Sequence, residues 1–224
     1  MNLESQLSAT AVAEMTPRRH PGCGHHGCVD VGAEDVLTLA SAISLLRTAA
    51  CLALVLVSVD TGRVALLFLG LGVHCAGDMA DGFVARRWSR ETRAGAVLDI
   101  VCDRLCISVY YVSYGHVHHE MLVPIGLFLF SFMVLDSQLS LAFLNWPLRS
   151  LNYFSLVDRT LYRWNWSPVG KGLNSGALVV LMVATRSAGA CFTLALAICV
   201  VKVASLVRLY RAGVPSPTGC AAVA

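Results

Sequence analysis

The sequence predicts an all-α integral membrane protein with six transmembrane helices and a short interfacial helix ahead of them. Three observations carry this prediction. Of the 224 residues, 56% are hydrophobic and only 14% charged, against about 25% charged in soluble chains. Mean hydropathy is +0.66 for a mass of 24.0 kDa, and a soluble domain of that size lacks the interior to hide so much apolar surface. Hydrocarbon must therefore be part of the solvent, and the same numbers exclude a disordered chain, a collagen and a coiled coil. Second, six stretches are long enough to cross about 30 Å of hydrocarbon. Third, the basic residues are distributed very unevenly about those stretches.

The spans run Leu39 to Ser58, Arg63 to Arg86, Ala94 to Gly115, Glu120 to Trp146, Val169 to Ala184 and Gly189 to Leu209. Glu34 to Leu37, just before the first, reads as a short helix lying in the interface. The second and third spans are interrupted by aspartates, so a hydropathy scan scores them poorly. The fourth holds Asp136, Ser137, Gln138 and Ser140, a polar contact between helices or part of a site wall. The Pro-, Gly- and small-residue-rich ends read as mobile tails. The expected organisation is a tail over 1–30, one membrane domain over 31–213 and a tail over 214–224.

With the N-terminus in the cytoplasm, the inner side holds Arg18, Arg19, Arg86, Arg87, Arg90, Arg93, Arg149, Arg159, Arg163, Lys171, Arg208 and Arg211, and the outer side only Arg63 and Arg186. Arg47, Arg104 and Lys202 fall at membrane depth. This bias places both termini in the cytoplasm, as it does the short loop from Arg87 to Arg93 and the longer one from Pro147 to Pro168. Trp146, Trp164 and Trp166 then mark that interface as an aromatic belt. Low lysine with abundant alanine, valine and arginine suggests a GC-rich bacterial source, and with it a bacterial inner membrane as the expected location. The N-terminal stretch carries Glu4 and Glu14 and no uninterrupted apolar run, so no cleavable signal peptide is expected.

Net charge is only +3 and no basic stripe is interleaved with aromatics, which argues against nucleic acid as a partner. Cys51, Cys75, Cys102, Cys106, Cys191 and Cys199 lie in apolar runs, where cysteine behaves as a small hydrophobe and disulfides are not expected.

Asp78, Asp81, Asp99 and Asp103 fall in the second and third spans near their cytoplasmic ends. Each costs about 2.5–3.5 kcal/mol on insertion scales, so intramembrane acids are functional by default. At about 100° per residue, Asp78 and Asp81 lie about 60° apart and Asp99 and Asp103 about 40° apart. The short loop makes these helices antiparallel neighbours, so the two pairs face one another. Four carboxylates this close cannot all stay ionised without cations between them. Hard oxygen ligands select Mg²⁺ or Mn²⁺, and four of them suit two ions sharing ligands. Zinc is disfavoured, since no cysteine or histidine shares the face; His74, one turn away, reads as structural. Gly82 and Gly95 leave room for a flat group or for close helix approach, and Arg86 at the water interface suits a phosphate.

Asp78-x-x-Asp81-Gly82-x-x-Ala85-Arg86, eight residues, then Gly95-x-x-x-Asp99-x-x-x-Asp103 resembles the CDP-alcohol phosphotransferase signature at all eight fixed positions. The resemblance extends to the six-helix plan with a cytoplasmic site. It implies that fold, and transfer of a substituted phosphate from a CDP-linked donor to an alcohol with release of CMP. CDP-diacylglycerol is the donor expected in a membrane, with membrane lipids around its acyl chains. Asp78, Asp81 and Asp99 would ligate two divalent ions, with Asp103 close to the metals and acting as general base. Gly82 and Ala85 would admit the cytosine and ribose, Gly95 would line the same site, and Arg86 would hold a phosphate. A homodimer is implied by the resemblance alone.

The family's first-helix pattern, Asn-x-x-Thr-x-x-Arg, reads Ser41-x-x-Ser44-x-x-Arg47 here. Ser44 and Arg47 are candidates for nucleotide contact, and Arg47 is equally a candidate structural partner for an aspartate. Lys171, after Gly170 at the start of the fifth span, is a candidate acceptor ligand or a snorkelling cation. Arg104 follows Asp103 as in inositol-using members, so a polyol or inositol-type acceptor is favoured over glycerol 3-phosphate.

Other clusters weigh less. His20, Cys23, His25, His26 and Cys28 match no standard zinc spacing and are read as part of a tail. His116, His118 and His119 fall in an outer loop away from the acids. A divalent-cation transporter using the four aspartates is the competing class. It calls for a polar path across the membrane and repeats or broken helices, whereas the acids cluster on one side.

Overall fold

The computed structural model describes residues 38–88 and 91–213. The expected interfacial helix at 34–37, the Cys/His cluster, Arg90 and both tails lie outside the described residues. Six long helical runs are present among the described residues: α1 Leu39–Thr61, α2 Val64–Arg87, α3 Arg93–Val117, α4 His119–Asn145, α6 Pro168–Thr185 and α7 Ala188–Ala212. A short α5, Arg159–Asn165, lies between α4 and α6. Among the described residues there is no strand.

Local chemistry sets the ends. Thr38, Thr92, Ser167 and Ser187 cap α1, α3, α6 and α7, each side-chain oxygen accepting from a backbone N–H in the first turn and so satisfying one of the orphan donors there. Pro168 begins α6, where a missing N–H costs nothing. The α1–α2 turn needs a left-handed residue, and Gly62 supplies it at φ 67°.

Five of these helices, α1, α2, α4, α6 and α7, are long and apolar enough to cross a membrane. The sequence predicts six crossings. α3 has the length, 25 residues, but Arg93, Asp99, Asp103 and Arg104 make it too charged for that class. The surface is the reverse of a soluble protein's, with Leu46, Leu56, Met79, Phe83, Val123, Val180 and Val200 all strongly exposed, as hydrocarbon would select.

Two apolar clusters hold the bundle. One gathers Cys51, Leu67, Cys106, Tyr110, Tyr111, Met121, Phe128 and Cys191. The other gathers Ile100, Leu139, Phe143, Trp146, Leu148, Phe154, Leu161, Trp166 and Leu206. Buried or half-buried polar groups sit where a helix passes from one cluster to the other. Asp103 lies between Ile100 and Cys106 on α3, Asp136 between Phe132 and Leu139 on α4, and Lys202 between Ile198 and Leu206 on α7. A polar layer thus separates two apolar ones.

The segment 147–168, read from the sequence simply as the longer loop, carries structure of its own. It forms a 3₁₀ turn, Leu151–Leu156, and then α5. Its apolar residues close the second cluster, so Trp146 and Trp166 are buried against Phe154 rather than standing in an aromatic belt, and of the three expected there Trp164 alone is exposed. Three large rings packed together bury more apolar area than an interface offers them. The six cysteines named above are free thiols.

Candidate functional site

α1 and α2 form the most extensive helix interface, and it carries the site. On α1, Ser41, Ser44, Arg47 and Thr48 are all buried, a polar stripe at helical spacing facing α2. Ser44 Oγ donates to Asp81 Oδ2 at 2.6 Å. Arg47, only 4% exposed, reaches every one of the four aspartates. Its Nε lies 3.0 Å from Asp81 Oδ2, and its Nη2 donates to Asp99, to Asp103 Oδ1 at 2.8 Å, and stands 3.8 Å from Asp78 Oδ1. The aspartate partnership that the sequence leaves open for Arg47 is thus present in the structure.

The way in for that side chain is Gly77. A Cβ there would stand 2.6 Å from both Cβ and Cδ of Arg47, so only glycine lets the stem pass. His74 completes the setting. Arg47 Nη1 lies 3.0 Å from His74 Nδ1, and since arginine only donates, Nδ1 accepts and Nε2 carries the proton. That Nε2 lies 4.0 Å from Asp103 Oδ1. His74, structural by sequence, is part of the site's support.

Asp78, Asp99 and Asp103 each bring a carboxylate oxygen within 4.8 Å of the others. Asp81 stands outside this trio and is buried against Ser44 and Arg47. The three half-buried carboxylates offer hard oxygen donors in one place, and that donor set fits Mg²⁺ or Mn²⁺.

Asp78, Asp81, Gly82, Ala85, Arg86, Gly95, Asp99, Asp103, Ser44, Arg104 and Lys171 all line one cavity of about 560 Å³. Arg86 is exposed, at the end of α2. At Gly82 an added Cβ would meet only the Arg86 guanidinium, whereas at Gly95 it would run into the Thr92 cap hydroxyl at 2.8 Å. The glycine at 95 therefore serves the helix start.

Across the cavity lies a second network, built on the Asp136 and Ser140 that the sequence offers as a contact or wall but with partners it does not name. Arg104 donates to Asp136 and to Ser140 Oγ at 3.1 Å, and its guanidinium carbon lies 3.9 Å over the Phe132 ring. Lys202 Nζ, from α7, lies 2.6 Å from Asp136 Oδ1 and donates to Asn165 Oδ1 at 2.8 Å. Asn165 Nδ2 in turn donates to Ser205 Oγ at 2.9 Å. Arg104, Asp136, Ser140, Asn165 and Lys202 all line the same cavity. α4 and α6 each open by one residue per turn beside it, at Ser131–Leu135 and Gly172–Gly176, a distortion common at functional sites. Gln138 is exposed and outside the network. Asp136, Ser140, Arg104 and Lys202 each draw notice singly, but with Asn165 at the end of α5 they share no sequence period, so nothing in the sequence joins them.

At the rim, Lys171 Nζ donates to Asn152 Oδ1 at 3.2 Å and Tyr153 Oη to Glu91 at 2.6 Å. Burial and the Glu91 carboxylate push the Tyr153 phenol up to about 12.

Comparison with known proteins now bears on this cavity. Residues 37–207 match the CDP-alcohol phosphatidyltransferase family. A CDP-diacylglycerol–glycerol-3-phosphate 3-phosphatidyltransferase of Pectobacterium atrosepticum is 44% identical over 43 residues, 19% of this chain and 24% of that protein. Proteins of the same description from Yersinia pestis and Escherichia coli K12 are 44% identical over 45 residues (20% and 25% covered) and 40% over 48 (21% and 26%). The chain thus aligns with about a quarter of the length of these relatives. No solved structure matches it.

Proposed function

The chain belongs to the CDP-alcohol phosphatidyltransferase family, and from that premise we propose that it transfers the phosphatidyl group of CDP-diacylglycerol to glycerol 3-phosphate, releasing CMP. One observation carries the proposal: all eight signature residues line a single cavity, opposite a cationic network.

The acceptor hydroxyl attacks the phosphatidyl phosphorus, the bond from that phosphorus to the CMP oxygen breaks, and the hydroxyl proton passes to a carboxylate oxygen of Asp103. Asp103 is held for this by Arg47 Nη2. Arg86 at the cavity edge steadies a donor phosphate. Two Mg²⁺ or Mn²⁺ ions, held by Asp78, Asp81, Asp99 and Asp103, would neutralise pyrophosphate charge and make CMP a better leaving group.

The acceptor reading turns on charge. Arg104 and Lys202 share one carboxylate, Asp136, so the trio carries a formal surplus of one positive charge, with Lys171 adding another at the rim. An anionic acceptor answers that surplus, and a neutral inositol does not. The relatives' names point the same way.

In this account residues 31–213 form one domain and α3 crosses the membrane with the other five. Its charged residues Asp99, Asp103 and Arg104 line the cavity while Val101, Leu105 and Val112 face outward. The bias of arginine and lysine sets both termini and the cavity mouth in the cytoplasm.

The test is product formation from CDP-diacylglycerol with Mg²⁺ or Mn²⁺ and a panel of glycerol 3-phosphate, inositol, inositol phosphate and serine, read by mass spectrometry of the lipid. Phosphatidylglycerol phosphate is the expected product. A lipid formed only from inositol or serine overturns the acceptor, and none from any acceptor overturns the donor.

A further inference from the structure

Arg47 contacts all four aspartates, and the chemistry above uses it only to hold Asp103. Four carboxylates surround one guanidinium, and three anchors fix it. Its stem threads past Gly77, its Nε sits against Asp81, and its Nη1 is held by His74. Nη2 engages Oδ1 of both Asp99 and Asp103, which leaves each of those carboxylates a second oxygen. A residue placed this way leaves carboxylate oxygens for a cation beside it.

The charge count follows. Two divalent cations against four aspartates would give a centre of zero net charge, which draws a doubly negative pyrophosphate only at contact range. With Arg47 the centre carries one positive charge, and Arg86 brings a second to the cavity edge. The arginine opposes cation entry at the same time, because like charges a few ångströms apart in a poorly screened site repel far more than they do in water.

We propose that Arg47 is a resident counter-charge of the aspartate site: it lowers the site's affinity for divalent cations and raises the loaded site's affinity for the CDP pyrophosphate. This rests on the cation-dependent reading above and adds to it a trade between two affinities, set by one first-helix residue.

The test compares wild type, Arg47→Gln and Arg47→Lys in detergent. Mn²⁺ binding is measured by calorimetry without nucleotide, then CDP binding at saturating Mn²⁺. Arg47→Gln is expected to bind Mn²⁺ roughly tenfold or more tighter, and CDP roughly tenfold or more weaker, from loss of one nearby charge. Arg47→Lys keeps the charge and stays near wild type in both. A purely structural role predicts that both variants lose Mn²⁺ and CDP binding together, and that result overturns the proposal. Should Arg47→Gln fail to fold, Arg47→Lys decides alone: affinities near wild type support a charge role, and loss of both contradicts it. Equal Mn²⁺ affinity in wild type and Arg47→Gln defeats the counter-charge while leaving the metal site intact; no Mn²⁺ binding by wild type defeats the metal reading and this inference with it.

Discussion

Replacing Gly77 with alanine adds one methyl group at the point where Arg47 enters the site. The new carbon would lie 2.6 Å from Arg47 Cβ and from Arg47 Cδ. Non-bonded carbons rest at about 3.5–4.0 Å, so about 1 Å must be found. The crowded atoms include the root of the side chain, which cannot swing aside as a flexible tip would. Either α1 shifts against α2 or Arg47 leaves the aspartates. Overpacking of this kind costs about 1–3 kcal/mol, against a helix-propensity gain of about 0.5–1 kcal/mol for replacing glycine by alanine. Gly72, five positions earlier in the same helix, provides the control, since a Cβ there meets nothing within 4 Å. Gly72→Ala is expected to hold or raise the unfolding temperature. Gly77→Ala should fall below it by about 2–4 °C per kcal/mol of difference. The assay is thermal unfolding of purified protein in one detergent, followed for all three proteins in parallel. If Gly77→Ala unfolds with Gly72→Ala or above it, the tight passage of Arg47 past α2 is wrong.

Other consequences are smaller in scope. Asp136→Asn leaves the Arg104 and Lys202 charges together without their shared carboxylate, and breaking such a buried ionic cluster is expected to cost about 3–5 kcal/mol, read as a lower unfolding temperature. Lys202→Met removes a cation from the acceptor side, and KM for glycerol 3-phosphate should rise more than KM for CDP-diacylglycerol; equal rises contradict the acceptor assignment. Asp158 caps α5: burial pushes its carboxyl up, but the hydrogen bond from Arg208 and the Leu161 and Thr160 amides outweigh this and hold it below the usual value. Its contribution is therefore present above about pH 4, the unfolded carboxylate range, and is lost as pH falls through the lower folded value. The stability gap between wild type and Asp158→Asn should narrow between about pH 5 and pH 3, and a gap that widens on acidification contradicts the pairing.

Much of the site was legible because its chemistry is expensive in hydrocarbon. Four aspartates in apolar spans are conspicuous, and their spacing along two helices sets which faces meet. The spans themselves matched the helices closely, since apolar length is a strong signal. What escaped was long-range. Lys202 read only as a cation at membrane depth, because nothing near it in sequence names Asp136 and Asn165 as partners. Gly77 carried no mark either; its role depends on a side chain thirty positions away on another helix. The belt expected of Trp146 and Trp166 failed for a similar reason, since the segment between them folds over its own aromatic cluster. The single-residue expansions of α4 and α6 leave no period to detect.

The most direct measurement is CMP release by purified wild-type protein and Asp103→Asn with CDP-diacylglycerol and glycerol 3-phosphate, each with Mn²⁺ and again after chelation. Release by wild type alone, abolished by chelator and lowered by about 10²-fold or more in Asp103→Asn, as loss of a general base predicts, is the expected result. Undiminished release by Asp103→Asn, or release that survives chelation, would contradict an aspartate-centred, cation-dependent transfer.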